Sequence, residues 1–280
     1  MRLCYNGLTT KYATLQQEVM AAHRAGFGYM ELRGNKIEDY LLTHTPEQLL
    51  DFLTIWHMKV ASINSIEICP YHENLEPRAR LMEKLEWMCQ IGQTLEADSL
   101  ITAPLFNDCG WSSKQIDAFL VKLYREMSDI ARPYGVKISF EIIALTGAMV
   151  PNLQRALEII EKIDRDNVGL CLDCFAFHGN GSTLPMLEKI NPARFFMLHL
   201  NDARKGVDKN TIQEKDRRFP GEGEINLPAI LQAVKKKGYN YVASLELINP
   251  DVWEWNTETA ISHGYQVSYH IVSAIYPDVC

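Results

Sequence analysis

Eight short β-rich runs, each followed by a longer amphipathic stretch, predict an α/β fold of the (β/α)8 barrel type. Two further observations support it. No Gly/Ser/Pro-rich linker divides the 280 residues, and 47% of them are hydrophobic, so residues 1–280 are expected to form one domain around one large core. The turn after the first run, Asn6-Gly7-Leu8-Thr9, also lacks the G-x-G-x-x-G of an open doubly wound sheet, the competing architecture. Eight parallel strands hide their edges by closing, and the length matches a barrel.

The βα units follow in order. Strand 3–6 precedes helix 15–25, which Gly26 ends, and strand 29–33 precedes helix 46–57. That second helix starts on a capping box, Thr45 with Gln48, and has Pro46 at its first position. Strand 60–64 pairs with helix 78–94 and strand 99–103 with helix 114–130, after which Gly135 marks a helix stop. The remaining units are 136–142 with 153–163, 168–173 with 184–190, 194–199 with 227–236 up to Gly238, and 241–246 with 257–275.

Composition excludes several functions. With 28 basic and 35 acidic residues the net charge is -7, which repels a polyanion, so no nucleic-acid partner is expected. The N-terminus turns polar at Asn6, too early for a signal peptide, and no run of about 18 apolar residues occurs; a soluble, cytoplasmic protein without membrane contact is expected. Seven cysteines, several of them (Cys4, Cys69, Cys171) within apolar stretches, predict free thiols rather than disulfides.

In a barrel, the last residues of each strand face the mouth where chemistry occurs. Strand five ends in Ser-Phe-Glu141, strand six in Cys-Leu-Asp173, strand seven in Met-Leu-His199 and strand eight in Ser-Leu-Glu246. One such residue is what any strand shows on reaching the surface, but four consecutive strands each supply a metal-competent side chain. Three carboxylates in a partly buried mouth repel one another unless a cation neutralises them. Oxygen donors with one imidazole suit one divalent ion, Mn2+, Co2+ or Zn2+.

With these residues in place the chain resembles the xylose-isomerase-like TIM-barrel superfamily of sugar isomerases and epimerases, and within it the 2-keto-myo-inositol (inosose) isomerases. The Glu, Asp, His, Glu order at the strand ends carries the first resemblance. Residues 3–6 (LCYN), 129–137 (DIARPYGVK), 165–170 (RDNVGL), 173–178 (DCFAFH) and 216–221 (DRRFPG) carry the second, over nearly the whole chain. The resemblance implies a small keto-sugar or keto-cyclitol substrate and a four-ligand metal site whose glutamates, Glu141 and Glu246, jointly move protons through an enediolate. It also marks His178 as a substrate neighbour.

Other residues have two readings. Arg217 is expected to pair with a metal ligand or a substrate oxygen, and Asn6, Arg33 and Asn64 to bond hydroxyls, although any barrel places polar groups there. Many relatives carry a histidine where this chain has Ala176, and Arg218 stands where a further zinc ligand of the DNA-repair endonucleases would be needed; both weigh against that branch. The C-x-x-C of Cys171 and Cys174 reads as accidental, its thiols on opposite faces of a strand. His23, His57, His263 and His270 read as surface or satisfied core residues. Trp253 and Trp255 read either as an apolar wall over a ring or as a subunit contact, which leaves a homo-oligomer open. The loop Leu247-Ile248-Asn249-Pro250 has no glycine-rich phosphate turn, favouring an unphosphorylated ligand. Two alternatives stand beside the isomerase: a metal-dependent dehydratase of the 3-dehydroshikimate type, and a metal-loaded sugar-binding module without turnover.

Overall fold

Strand β1 (Arg2–Asn6) lies between β2 (Tyr29–Arg33) and β8 (Val242–Leu245), and this contact between the two ends of the sheet closes it. The other strands are β3 (Lys59–Ile68), β4 (Ser99–Pro104), β5 (Lys137–Glu141), β6 (Val168–Asp173) and β7 (Phe195–Leu200), in sequential order around a closed, parallel barrel. The structure, a computed structural model, describes residues 1–143, 145–179 and 181–279.

Alternation along the strands divides the interior in two. Residues such as Leu3, Tyr5, Leu170 and Leu172 point outward into the main core, beneath the surrounding helices. Cys4, Ala61, Ile101, Cys171, Met197 and Val242 form a smaller cluster inside the cylinder. Cys4, Cys171 and Met197 each precede by two residues a buried polar side chain, Asn6, Asp173 and His199, so the same period that builds an apolar floor sets a polar layer on it.

The helix signals act as expected. Thr45 accepts from the Gln48 N–H at 3.3 Å while Gln48 Oε1 accepts from the Thr45 N–H at 2.8 Å, starting the helix Pro46–Ile55. Gly26 ends the first helix, Leu15–Ala25, at φ 111°, a conformation that costs a residue with a Cβ.

Four features differ from expectation. β3 runs on to Ile68 instead of stopping at Asn64, because a register shift between Asn64 and Ile66 lets pairing with β4 resume through Ile66–Thr102 and Ile68–Pro104. The helix expected at 184–190 is only Leu184–Leu187, with Pro185 in its first turn. Helices Gly34–Leu41 and Cys174–Gly179 follow β2 and β6 directly and were not expected. β8 ends at Leu245, leaving Glu246 one residue beyond it.

Among the described residues no helix is long and apolar enough to cross a membrane. Cys4, Cys69, Cys89, Cys109, Cys171 and Cys174 are free thiols; Cys280, also in the expectation of no disulfides, lies outside the described residues. Cys174 opens a helix rather than extending a strand, and the two thiols lie apart, Cys171 in the cluster inside the cylinder and Cys174 in the main core. Burial pushes both its thiol and that of Cys171 up, the opposite of a reactive redox pair.

Candidate metal centre and active site

Glu141 closes β5, Asp173 closes β6 and His199 is the penultimate residue of β7. The register brings them together: Asp173 is level with His199, and His199 with Ser244, two residues before Glu246. All four are buried, and one donor atom from each lies within 4.8 Å of the others. His199 Nδ1 is 2.7 Å from Glu141 Oε1, 3.2 Å from Glu246 Oε2 and 4.0 Å from Asp173 Oδ2.

The rest of the polar layer holds these groups in place. Asp173 Oδ1 accepts from the Ala176 N–H at 2.6 Å, capping the helix Cys174–Gly179, and its Oδ2 accepts from Asn201 Nδ2 at 2.6 Å. Arg217 arrives from a two-residue ribbon, Arg217–Arg218 paired antiparallel with Asp202–Ala203. Its Nη1 donates to Asp173 Oδ2 at 2.7 Å and reaches Glu246 Oε2 at 3.5 Å, its Nε donates to Glu214 Oε2 at 2.5 Å, and its plane lies 4.7 Å over the Phe175 ring.

Asn6 Nδ2 donates to Glu246 Oε1 at 3.0 Å and to Glu31 Oε1 at 2.9 Å, and Asn64 Nδ2 contacts the same two oxygens. Arg33 Nη1 donates to Asn64 Oδ1. Arg33 and Asn64 also line a cavity of about 590 Å3, together with Glu67, Tyr71, His72 and Arg80; none of the four cluster residues lines it, and Asn64, whose Nδ2 donates to Glu246 Oε1 at 3.3 Å, links the two. His178 lies in a helix rather than a loop, and its Nε2 meets Glu224 at 3.1 Å. Trp253 donates to the Leu8 carbonyl at 2.9 Å and stacks under Lys11, closing the loop after β1, while Trp255 stays half exposed beside Phe219.

Glu31 and Asn201 were missed by the sequence reading. Glu31 is the one acid in the run Tyr-Met-Glu-Leu-Arg, two residues before Arg33, and period two turns both the same way. Asn201 lies two residues beyond His199 and offered the same signal.

The electrostatics favour a cation. Glu31, Glu141, Asp173 and Glu246 put four buried carboxylates in the layer against one buried guanidinium, Arg217, with the half-buried Arg33 acting on Glu246 as well. Burial pushes Glu141 up to about 7, and the Glu246 charge adds to that rise. Burial opposes ionisation of Glu246 as well, but His199 and Arg217 hold it down at about 2. Burial also opposes a charged His199, yet Cys171, Glu246, Glu31 and Glu141 carry it well above the usual histidine range. A divalent ion would replace that imidazole proton, and three carboxylates with one imidazole are a donor set that fits one.

Known proteins share the barrel and much of the sequence. The Xylose isomerase-like TIM barrel family model matches residues 19–269. The chain is 31% identical over 275 residues to an inosose isomerase of Halalkalibacterium halodurans, covering 98% of this chain and 97% of that one. It is 29% identical over 280 residues to the inosose isomerase of Bacillus subtilis, covering 99% of each. A crystal structure of the IolI protein with a bound zinc atom superposes at a TM-score of 0.92 with 29% identity, over 98% of this chain and 99% of that one. With full-length relatives of one activity and a closed parallel barrel in common, the chain belongs to the xylose isomerase-like TIM barrel family and is one of its isomerases.

Proposed function

We propose that the chain is a metal-dependent inosose isomerase, moving a ketone between neighbouring carbons of a cyclitol in inositol catabolism, in the cytoplasm. The convergence of Glu141, Asp173, His199 and Glu246 within 4.8 Å carries this reading, because that donor set in a barrel mouth matches what the chemistry needs. In this proposal the four side chains hold one divalent ion, Mn2+, Zn2+ or Co2+. Bound there, the ion supplies positive charge to the ketone and adjacent hydroxyl oxygens as the α-proton leaves.

The chain's own residues do the rest. Glu141 and Glu246 come from different sides of the barrel, so one takes the α-proton and the other returns a proton at the neighbouring carbon, the substrate passing through an enediolate. The two carboxylates are coupled, and the acid and base roles belong to the pair. Arg217 holds Asp173 and Glu246 at fixed positions. Arg33 and Asn64, on the cavity wall, are the proposed hydroxyl contacts. Asn6 is engaged by two carboxylates and acts by orienting Glu246. His178 pairs with Glu224, and its proposed role as a substrate neighbour rests on the family resemblance. After β8, the Asn249 and Asn256 side chains accept from the Asp251 N–H at 2.9 Å and the Thr259 N–H at 3.2 Å and so cap both helix starts there, Pro250–Trp253 and Thr257–Ser273, in keeping with an unphosphorylated substrate.

Incubation of the zinc- or manganese-loaded protein with inosose in deuterated water tests the reading. An isomeric ketone carrying solvent deuterium is expected, with the reaction abolished by a chelator and restored by metal. A conjugated, ultraviolet-absorbing product would replace it with the dehydratase, and binding without turnover with the sugar-binding module.

A further inference from the structure

We infer that Glu31 is a positioning residue for this centre: it selects which nitrogen of His199 faces the three carboxylates, and through Asn6 and Asn64 it places Glu246. The inference rests on the proposed metal function and extends it to a side chain outside the four-residue cluster.

Glu31 stands in the middle of β2 and is inaccessible to solvent. A carboxylate so buried persists only where donors surround it. Four do so here. Oε1 accepts from Asn6 Nδ2 at 2.9 Å and from Asn64 Nδ2; Oε2 accepts from Ser244 Oγ at 2.9 Å and faces His199 Nε2 at 3.1 Å.

The contact with His199 has a directional consequence. An ionised carboxylate only accepts hydrogen bonds, so Nε2 must carry the proton that bonds to Glu31. Nδ1 is then the nitrogen whose lone pair is freed when an ion replaces its proton, and it is the one that lies 2.7, 3.2 and 4.0 Å from Glu141, Glu246 and Asp173. Glu31 would thus support the ring from the nitrogen remote from the proposed ion and raise the basicity of Nδ1 toward it. Glu31 meets the nitrogen that points away from the cluster, so it supports the ring without joining the ligand set.

A second connection runs through the two asparagines. Each Nδ2 is forked between Glu31 Oε1 and Glu246 Oε1, at 3.0 Å to Glu246 for Asn6 and 3.3 Å for Asn64. The amides therefore sit where both carboxylates pull them, and removing one charge releases them toward the other. One side chain on β2 so influences ligands contributed by β7 and by the residue after β8.

Glu31→Gln keeps the shape and removes the charge, and its amide can offer either oxygen or NH2 to Nε2. Zinc affinity of the metal-free, full-length protein, measured by competition with a chromophoric chelator, is expected to fall roughly ten- to a hundredfold in this variant, the usual effect of losing such support. In zinc-loaded, 15N-labelled wild type the His199 Nε2–H should give an exchange-protected, far-downfield proton resonance that moves upfield or exchanges away in Glu31→Gln. Equal zinc affinity with an unmoved resonance would overturn the inference and leave the isomerase reading standing. Should Glu31→Gln not fold, the wild-type spectrum still decides, since zinc on Nε2 with the proton on Nδ1 contradicts the assignment. A wild type that binds none of zinc, manganese and cobalt would remove the isomerase reading itself, and this inference with it.

Discussion

Arg217 and Asp173 form a buried ion pair, Nη1 to Oδ2 at 2.7 Å, and the same guanidinium extends to Glu246 and Glu214. One cation is thus shared among three carboxylates, of which Asp173 and Glu246 are held out of water while Glu214 is partly exposed. Removing one partner of such a group leaves charge that neither solvent nor protein compensates. Arg217→Ala is expected to lower the stability of the metal-free protein by roughly 3–5 kcal/mol in urea denaturation. Added zinc should recover part of the loss, and Arg217→Lys should retain only part of the stability, because a lysine cannot span the same acceptors.

Glu141→Gln and Glu246→Gln each preserve size while removing a proton carrier. Each should reduce kcat by about 10² to 10⁴ in a steady-state inosose assay at saturating metal. The double variant is expected to lose less than the product of the single losses, because the two residues act as one relay. Full activity in either single variant would remove that residue from the reaction.

A pH effect is expected away from the metal centre. Glu18 is buried beneath the loop after β1, where it accepts from Lys36 Nζ at 2.6 Å and Thr10 Oγ1 at 2.7 Å. Burial raises its pKa from 4.5 to about 7, with Lys36 opposing the rise. The proton is held more tightly in the folded than in the unfolded chain, so this stabilising contribution is complete below pH 4.5 and is lost as pH rises through about 7. The loss is on the order of 3 kcal/mol. Unfolding free energies of wild type and Glu18→Gln from urea denaturation between pH 4.5 and 8 should diverge by this amount, the variant showing the flatter profile; parallel profiles would contradict it.

Gly169 in β6 is a position where a side chain has no room. A Cβ there would lie 2.6 Å from the Arg194 carbonyl oxygen and 2.6 Å from the Phe196 ring. The ring could move, but the carbonyl belongs to the backbone leading into β7. Gly169→Ala should therefore cost roughly 1–3 kcal/mol, the range for overpacking, and lower the thermal midpoint.

Much of this was legible in the residue order. Apolar runs ending in Glu141, Asp173, His199 and Glu246 marked four neighbouring strands, and closure of the sheet made those ends converge. Less legible was anything set by irregular backbone or by contacts distant in sequence. The shift at Ser65 broke the alternation that would have carried β3 to Ile68. The helix Gly34–Leu41 opens on Gly-Asn, which reads as a turn. Glu31 is less legible than the strand-end residues because it lies in mid-strand, where the polar layer extends one inward-facing position deeper, and the Lys36–Glu18 pair bridges segments with no shared pattern.

The central claim is that four side chains share one ion, and diffraction from crystals soaked in zinc, collected on both sides of the zinc absorption edge, tests it most directly. The account predicts a single strong anomalous peak at roughly 2.0–2.3 Å from His199 Nδ1 and from oxygens of Glu141, Asp173 and Glu246. A peak elsewhere, a peak on His199 Nε2, or none at this cluster would contradict it.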